Sequence, residues 1–519
     1  MGRCWRAGRM AGLAAALVMG GGLGVLAGPG TASASACPAF DGTQPPVADV
    51  GAGSQFTGVA VAGPCDLWMV GHNTSAPGSQ RALIEHWTGG PSWTAVPGTS
   101  IPGAAGGLLT GVSAVSPADV WAVGGTDTAS PLALHWDGTS WTQKAVPEST
   151  LGLTAVTAVS ARDVWAAGIG GDSQMHFGFL MHYDGASWTR TPAPDVAQAS
   201  ISGLAATSAN DVWAVGETVD GSIPVPLVLH WDGTAWSRAL IPGGGYQLNA
   251  VSASGPGDAW AVGIHWTSSF ISTVILHWDG TSWTQTPSPN PGSPNNVLNG
   301  VAAISPTSAV AVGSFSRAAS NSQPLVLHWD GHSWTQMQTP ALGSGSELNA
   351  VAASPAGVWA AGFWRAPNVQ ASAMVFGTVP SVAGDTPAAA TDAVNSAGLS
   401  TTVTDVTTAG GGCSPAANGT VFATSPAAGT FTAPPVNLSV CDMPPIVTVP
   451  AVTGLADNQA QGTLTNAGLS VGTITLSGNC SFDPGTVLRQ TPAAGTTVNR
   501  GTPVNLTEAT PPKPHGCAQ

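Results

Sequence analysis

The sequence predicts an all-β fold, a seven-bladed β-propeller followed by two small α+β modules, on three observations. The string His135-Trp136-Asp137-Gly138-Thr139-Ser140-Trp141 returns almost unchanged at 182–188, 230–236, 277–283 and 328–334, and a worn, longer copy stands at 86–93. A second string, Asp-Val-Trp-Ala-Val-Gly or a near variant, begins at Asp66, Asp119, Asp163, Asp211, Asp258, Ser308 and Gly357. Its recurring position falls at Trp68, Trp121, Trp165, Trp213, Trp260 and, with a one-residue slip, Ala311 and Ala360. Beyond residue 379 the Trp residues stop and the period changes. Repeats every 44–53 residues mean supersecondary units stacked or arranged radially, in place of one aperiodic core.

Residues 1–36 read as a cleaved secretory signal. Arg3, Arg6 and Arg9 form a positive start, 11–27 are apolar, and Ala34-Ser35-Ala36 supplies a small-residue cleavage site. No later stretch is apolar and long enough to span a bilayer, so an exported protein with no membrane insertion is expected. The net charge is −14, with 13 Lys and Arg against 27 Asp and Glu. Such a balance excludes nucleic-acid binding, which needs many cations to neutralise phosphates.

The propeller is expected over 37–378. Each unit divides into four short apolar runs; in the second unit they are 109–115, 120–124, 132–136 and 140–145. Asp137-Gly138 reads as a tight hairpin turn with both residues at positive φ, and 116–119 as a polar turn. Four antiparallel strands repeated seven times describe a propeller. The seventh unit stops before a fourth strand, and the segment 40–47 is expected to supply it, with a Cys37–Cys65 disulfide stapling the closure. Over 40–378 the units resemble secreted bacterial β-propeller repeats related to the Asp-box, kelch and WD types. Their Asp-Gly-x-x-Trp core lacks the fuller Asp-box spacing. The resemblance implies architecture and leaves activity open.

Two modules, 379–443 and 444–519, complete the chain. Val449-Pro450, Gly454, Ala467-Gly468-Leu469, Gly485-Thr486-Val487, Gln490-Thr491-Pro492-Ala493-Ala494-Gly495 and Gly501-Thr502-Pro503-Val504-Asn505-Leu506 resemble a PASTA module. A weaker copy runs through Val379-Pro380, Ala397-Gly398-Leu399, Gly419-Thr420-Val421, Ser425-Pro426-Ala427-Ala428-Gly429 and Val436-Asn437-Leu438. Helices are expected at 386–397 and 456–467, each ended by Gly. The resemblance implies association with peptidoglycan; a spacer role is the alternative.

Six cysteines follow residue 36: Cys37, Cys65, Cys413, Cys441, Cys480 and Cys517. Connectivity is not fixed by sequence. Pairing in chain order, Cys37–Cys65, Cys413–Cys441 and Cys480–Cys517, is expected in an oxidising compartment; lipidation of Cys37 is the alternative.

Most chemically suggestive residues belong to the repeat. His86, His135, His182, His230, His277 and His328 occupy one position in different blades, a ring too wide to hold a metal. No metal or cofactor is expected. Repeat aspartates are explained by turn capping, and seventeen of the 20 Trp by packing. What remains lies in the variable second-to-third-strand loops and inter-blade connections, which share one face of a propeller and suit display from a rigid scaffold. The candidate ligand-binding residues are His72, Tyr246, His265, Trp266, Phe270, Phe315, Arg317, Trp364 and Arg365. Exposed aromatics with few charges suit stacking on sugar rings or gripping a peptide.

The resulting expectation is a monomeric, non-enzymatic binding protein of the bacterial cell envelope, partnered by peptidoglycan, another envelope glycan or a surface protein. The alternatives are a polysaccharide hydrolase or lyase and a purely structural surface protein. A hydrolase would draw on Asp127, Glu148, Asp172, Asp195, Glu217 and Asp220, since no nucleophile-elbow or metalloprotease motif is present.

Overall fold

In a computed structural model of the chain, residues 53–510 are described, apart from 77–78, 91, 148–151, 172–175, 197–198, 221–222, 268–269, 317–321, 340–344, 355–356, 366–368, 398, 408–412, 415–416 and 479–480. The expected leader at 1–36, the segment 40–47, Cys37, Cys480 and Cys517 lie outside the described residues.

Strands Gln55–Gly63, Asp66–Ala76, Ser79–Trp87 and Thr94–Ala95 pair in chain order as the first sheet. The second unit repeats the meander with Gly107–Ser116, Asp119–Thr126, Pro131–Trp136 and Trp141–Gln143, close to the four expected runs. Five further units follow, the last with Glu347–Ser354, Gly357–Arg365 and Val369–Thr378. Their inner strands surround a channel of about 320 Å³, to which 59–61, 112–114, 156–157, 204–206, 251–253, 301–303 and 351–353 all contribute.

A girdle of hydrogen bonds ties neighbouring inner strands. Thr57 donates to the Leu109 carbonyl (2.6 Å), Thr110 to Leu153 (2.9 Å) and Thr154 to Ile201 (2.6 Å). Asn249 donates to Leu298 (2.8 Å) and Asn299 to Leu348 (3.0 Å). Asn349 then donates to Phe56 (2.7 Å), joining the seventh inner strand to the first. The repeated Gly has an equally local reason. An inner-strand bulge between Leu109 and Gly111 brings the Leu108 carbonyl to 2.0 Å from where a Cβ on Gly124 would sit, so no side chain fits there.

The outer hairpins differ from the expected two-residue turn. Four residues join Trp136 to Trp141, and of the pair only Gly138 has positive φ, +90°. Asp137 Oδ1 accepts the Thr139 N–H (2.8 Å), the Ser140 N–H (2.8 Å) and the Thr139 hydroxyl (2.7 Å). The side-chain acceptor thus organises the loop, and the aspartate needs no positive φ.

The hydroxyls of Thr139, Thr234 and Thr281, helped by backbone N–H donors, hold Asp137, Asp232 and Asp279 down at about 2. A carboxylate depressed below its unfolded value of about 3.9 stabilises the fold fully above that pH and loses its contribution as pH falls through about 2. Acid unfolding followed by tryptophan fluorescence should therefore steepen between about pH 4 and about pH 2. The combined Asp137→Asn, Asp232→Asn, Asp279→Asn variant should flatten that limb; superimposable acid limbs would contradict the assignment.

Between blades, a second-strand indole packs on the outer strands of the next unit. Trp213 lies 5.2 Å from Trp278 and 5.1 Å, edge-on, from Trp283. Within its own blade it stacks on His230 at 4.1 Å. In five blades the histidine meets the aspartate that opens the second strand, from His86 Nε2–Asp66 Oδ1 at 3.0 Å to His230–Asp211 at 2.7 Å; in the sixth, His328 faces the Ser308 hydroxyl at 3.3 Å. Histidine, aspartate and indole are thus one structural unit in each of the first five blades.

The strand register corrects the slip at the last two units. Val310 and Trp359, not Ala311 and Ala360, stand at the recurring Trp position, because they pair with His328 and Val375 as Trp121 pairs with His135. Trp359 packs on Trp87 (5.0 Å) and Trp93 (6.1 Å) of the first blade.

At Val310 the indole is missing, and the gap is filled from outside the repeat. The short strand Phe431–Thr432, from the first C-terminal module, pairs with Gly377 and Thr378 at the edge of the seventh sheet. The Phe431 ring stacks on His328 at 4.4 Å with a 12° interplanar angle, where five other blades place an indole on histidine. It joins the buried cluster of Val310, Val312, Leu348, Met374 and Phe376.

Each C-terminal module packs one helix on a three-stranded sheet. In the first, helix Pro387–Ser396 is capped by Thr386, whose hydroxyl accepts the Ala389 N–H (3.3 Å). In the second, helix Asp457–Asn466 ends before Gly468 at φ +75°. In both, the first and last strands run parallel, Thr401–Val406 with Val436–Cys441 and Ser470–Ser477 with Pro503–Ala509. Each module buries its own core, around Val394 and Leu438 or Leu464 and Leu506. Cys413 and Cys441 form a disulfide in the first. Cys65 is also disulfide-bonded.

Candidate functional site

The structure sorts the nine candidates by exposure. Trp266 and Phe270 stand at the tip of the hairpin between Asp258–Trp266 and Ile271–Trp278, 48% and 50% exposed. The tip is braced from within: Thr267 donates its N–H (3.0 Å) and hydroxyl (2.7 Å) to the Phe270 carbonyl, and the Trp266 N–H reaches the Gly245 carbonyl at 3.3 Å. Two exposed aromatic side chains therefore flank this hairpin tip, whose residues 268–269 lie outside the described residues.

Tyr246 and Phe315 are corrections. Tyr246 is 2% exposed and packs in the core with Trp213 and Leu248; its hydroxyl donates to the Pro242 carbonyl, and burial pushes its pKa up to about 12. Phe315 is 4% exposed and belongs to the cluster of Trp260 and Leu325. Strand continuation past the repeat Gly turns both rings inward, which a loop reading of those positions missed. His265 is half-buried beside Tyr246, the rings edge-on at 6.3 Å. His72 is half-buried on a strand with Nε2 2.8 Å from Gln55 Nε2, and burial lowers its pKa. Trp364 is half-buried in another blade, on the strand opposite Gln370. Arg317 and the Arg365 side chain lie outside the described residues. The structure thus places Trp266 and Phe270 at one hairpin tip, with His265 next to Trp266 on the strand and paired with Tyr246.

A second site escaped the sequence reading. The second C-terminal module carries a groove of about 480 Å³ lined by Thr453, Ser477, Phe482, Leu488, Arg489 and Thr507. Phe482 is half exposed, and Leu476 beside Ser477 is 64% exposed. Arg489 is exposed and pairs across the sheet with Thr507, whereas Ala423 stands at the matching place opposite Ser439 in the first module. That Arg/Ala difference between aligned copies, with Phe482 as the module's one Phe, Tyr or Trp, was the available signal.

The acids proposed for hydrolysis are dispersed in their roles. Asp195 is bound to Arg238 at 2.9 Å; Glu217 is half-buried, and burial raises its pKa. Glu148 and Asp172 lie outside the described residues. Among the described residues, no group of three or more His, Cys, Asp or Glu is placed to hold a metal ion, and no helix is long and apolar enough to cross a membrane.

Comparison with known proteins adds the following. A PASTA domain model matches residues 377–435 and 447–510. No curated protein matches the chain. Among solved structures, YCF48 bound to D1 peptide is 15% identical with a TM-score of 0.41, over 65% of this chain and 98% of that one. The fucose-specific lectin from Aleuria aurantia is 14% identical with a TM-score of 0.37, over 56% and 98%. The extracellular region of the Ser/Thr kinase PrkC from Staphylococcus aureus is 20% identical with a TM-score of 0.18, over 28% and 52%. By its own sheets the N-terminal region is an all-β propeller, and the C-terminal region carries two PASTA domains.

Proposed function

We propose that this chain is an exported, non-enzymatic binding protein of the bacterial cell envelope. Its second PASTA domain contacts peptidoglycan, and its propeller presents Trp266 and Phe270 to a glycan or protein partner. The observation that carries the reading is the groove of the second domain, where the exposed Arg489 faces a cavity edged by Phe482 and threonine hydroxyls. Peptidoglycan offers matching chemistry, with peptide carboxylates for the guanidinium and sugar rings for the aromatic face. The first PASTA domain is assigned a positional role, since it has Ala423 in place of that arginine and gives Phe431–Thr432 to the seventh sheet.

Sedimentation with purified peptidoglycan tests this. Arg489→Ala should weaken retention about tenfold, as expected for losing one charge-assisted contact worth roughly 1.4 kcal/mol. Added salt should weaken the wild type more than the variant. Thermal stability should not move, because Arg489 is exposed. Unchanged retention would rule out the groove as the contact.

A further inference from the structure

We propose that a cavity between the first and second blades is a binding site for a neutral sugar ring, distinct from the PASTA groove and from the Trp266 tip. The sequence marks the place. The first unit carries the worn copy of the repeat, Thr88-Gly89-Gly90-Pro91-Ser92 where others have Asp-Gly and two more residues before Trp. Its fourth strand shrinks to Thr94–Ala95, and a 3-10 turn, Gly98–Ser100, follows. The Trp87 indole N–H is turned to the Gly90 carbonyl (2.6 Å), whereas Trp136 reaches back to the Pro117 carbonyl (3.1 Å). Beside this altered outer edge a cavity of about 640 Å³ opens against the hairpin of the second blade, within the size range of small-molecule sites.

Its walls define the occupant. Trp68, stacked on His86 at 3.7 Å, meets Trp136 at 5.2 Å and the edge of Trp141 at 5.3 Å, and all four line the cavity. The Trp141 indole N–H is buried and has no hydrogen-bond partner. The same holds for Trp188, Trp236, Trp283 and Trp334 in later blades, so the buried donor is a property of the repeat, and what sets this place apart is that Trp68, Trp136 and Trp141 border a cavity. Thr88, Thr94, Ser100, Thr139 and Ser140 stand at the rim, the Thr139 hydroxyl being held by Asp137, and no Asp, Glu, Lys or Arg lines the cavity. Indole faces surrounded by hydroxyls, without charge, match a ring with one apolar face and a hydroxylated edge. A pyranose has that form. An anionic ligand would find no cation there.

The test uses the full chain labelled with ¹⁵N at its tryptophan indoles and a panel of neutral trisaccharides built from glucose, mannose, galactose or N-acetylglucosamine. At least one should shift the Trp141 indole resonance in a saturable manner and leave Trp266 unmoved. Thr94→Trp and Ser100→Trp, which fill the rim without entering the core, should each weaken that binding at least tenfold with no change in melting temperature. Free indole serves as a competing probe. Binding of indole with no response to any sugar would overturn the proposal in favour of an aromatic side chain from a protein partner. A sugar response confined to Trp266, or one unchanged in both rim variants, would overturn it as well. Peptidoglycan retention through Arg489 is read separately, so either reading can fail alone.

Discussion

Replacing Phe431 with alanine is expected to destabilise the propeller by about 3 kcal/mol, the usual cost of removing a buried phenyl ring, although Phe431 lies in the first PASTA domain. Its ring stacks on His328 and closes the cluster around Val310 and Phe376. Val310 stands where the repeat elsewhere places Trp, so Phe431 supplies the aromatic volume that this blade lacks. Val310→Trp sharpens the test. Alone it should overpack the same space and cost about 1–3 kcal/mol, and combined with Phe431→Ala it should recover much of the loss. Denaturant unfolding read by tryptophan fluorescence provides all four corners of the cycle. A Phe431→Ala cost within about 0.5 kcal/mol, the level of an ordinary surface change, would contradict the insertion.

Trp213→Ala should cost about 4 kcal/mol, whereas Trp266→Ala should cost less than about 0.5 kcal/mol. Trp213 is 1% exposed and holds His230, Trp278 and Trp283 around its ring. Trp266 is about half exposed at a hairpin tip. The contrast separates architecture from display in a residue type that dominates the sequence. Equal effects at the two positions, measured by the same unfolding experiment, would break the distinction between repeat and loop indoles.

The repeat was the most legible part of the chain because its chemistry is local. His230, Asp211 and Trp213 contact one another within a single blade, and Asp137 organises its own loop, so a short string carries the whole interaction. The helices at Pro387–Ser396 and Asp457–Asn466 were legible for the same reason, through the glycine that follows each. Contacts between distant segments were not. Nothing near Phe431 in sequence announces that its partner is His328, about a hundred residues away, and the substitution at Val310 becomes a gap only once the register is fixed. Exposure was equally hard to read: Tyr246 and Phe315 look like loop aromatics until pairing carries their strands past the repeat Gly and turns the rings into the core. Arg489 went unread because its meaning lies in the difference from Ala423, visible only when the two modules are superposed strand for strand.

The Phe431 contact also fixes how the binding reading should be tested. A chain cut at residue 379 loses the strand that pairs with Gly377 and Thr378 at the edge of the seventh sheet, so its failure would confuse folding with binding. Cutting after Met443 keeps Phe431–Thr432 and the disulfide Cys413–Cys441 and removes the second PASTA domain, which has its own core. The direct measurement is sedimentation of the full chain and of the chain ending at Met443 with purified peptidoglycan, after both show the same propeller unfolding transition. The full chain should pellet and the shortened chain should remain in solution; equal retention of the two would contradict wall binding by the second PASTA domain.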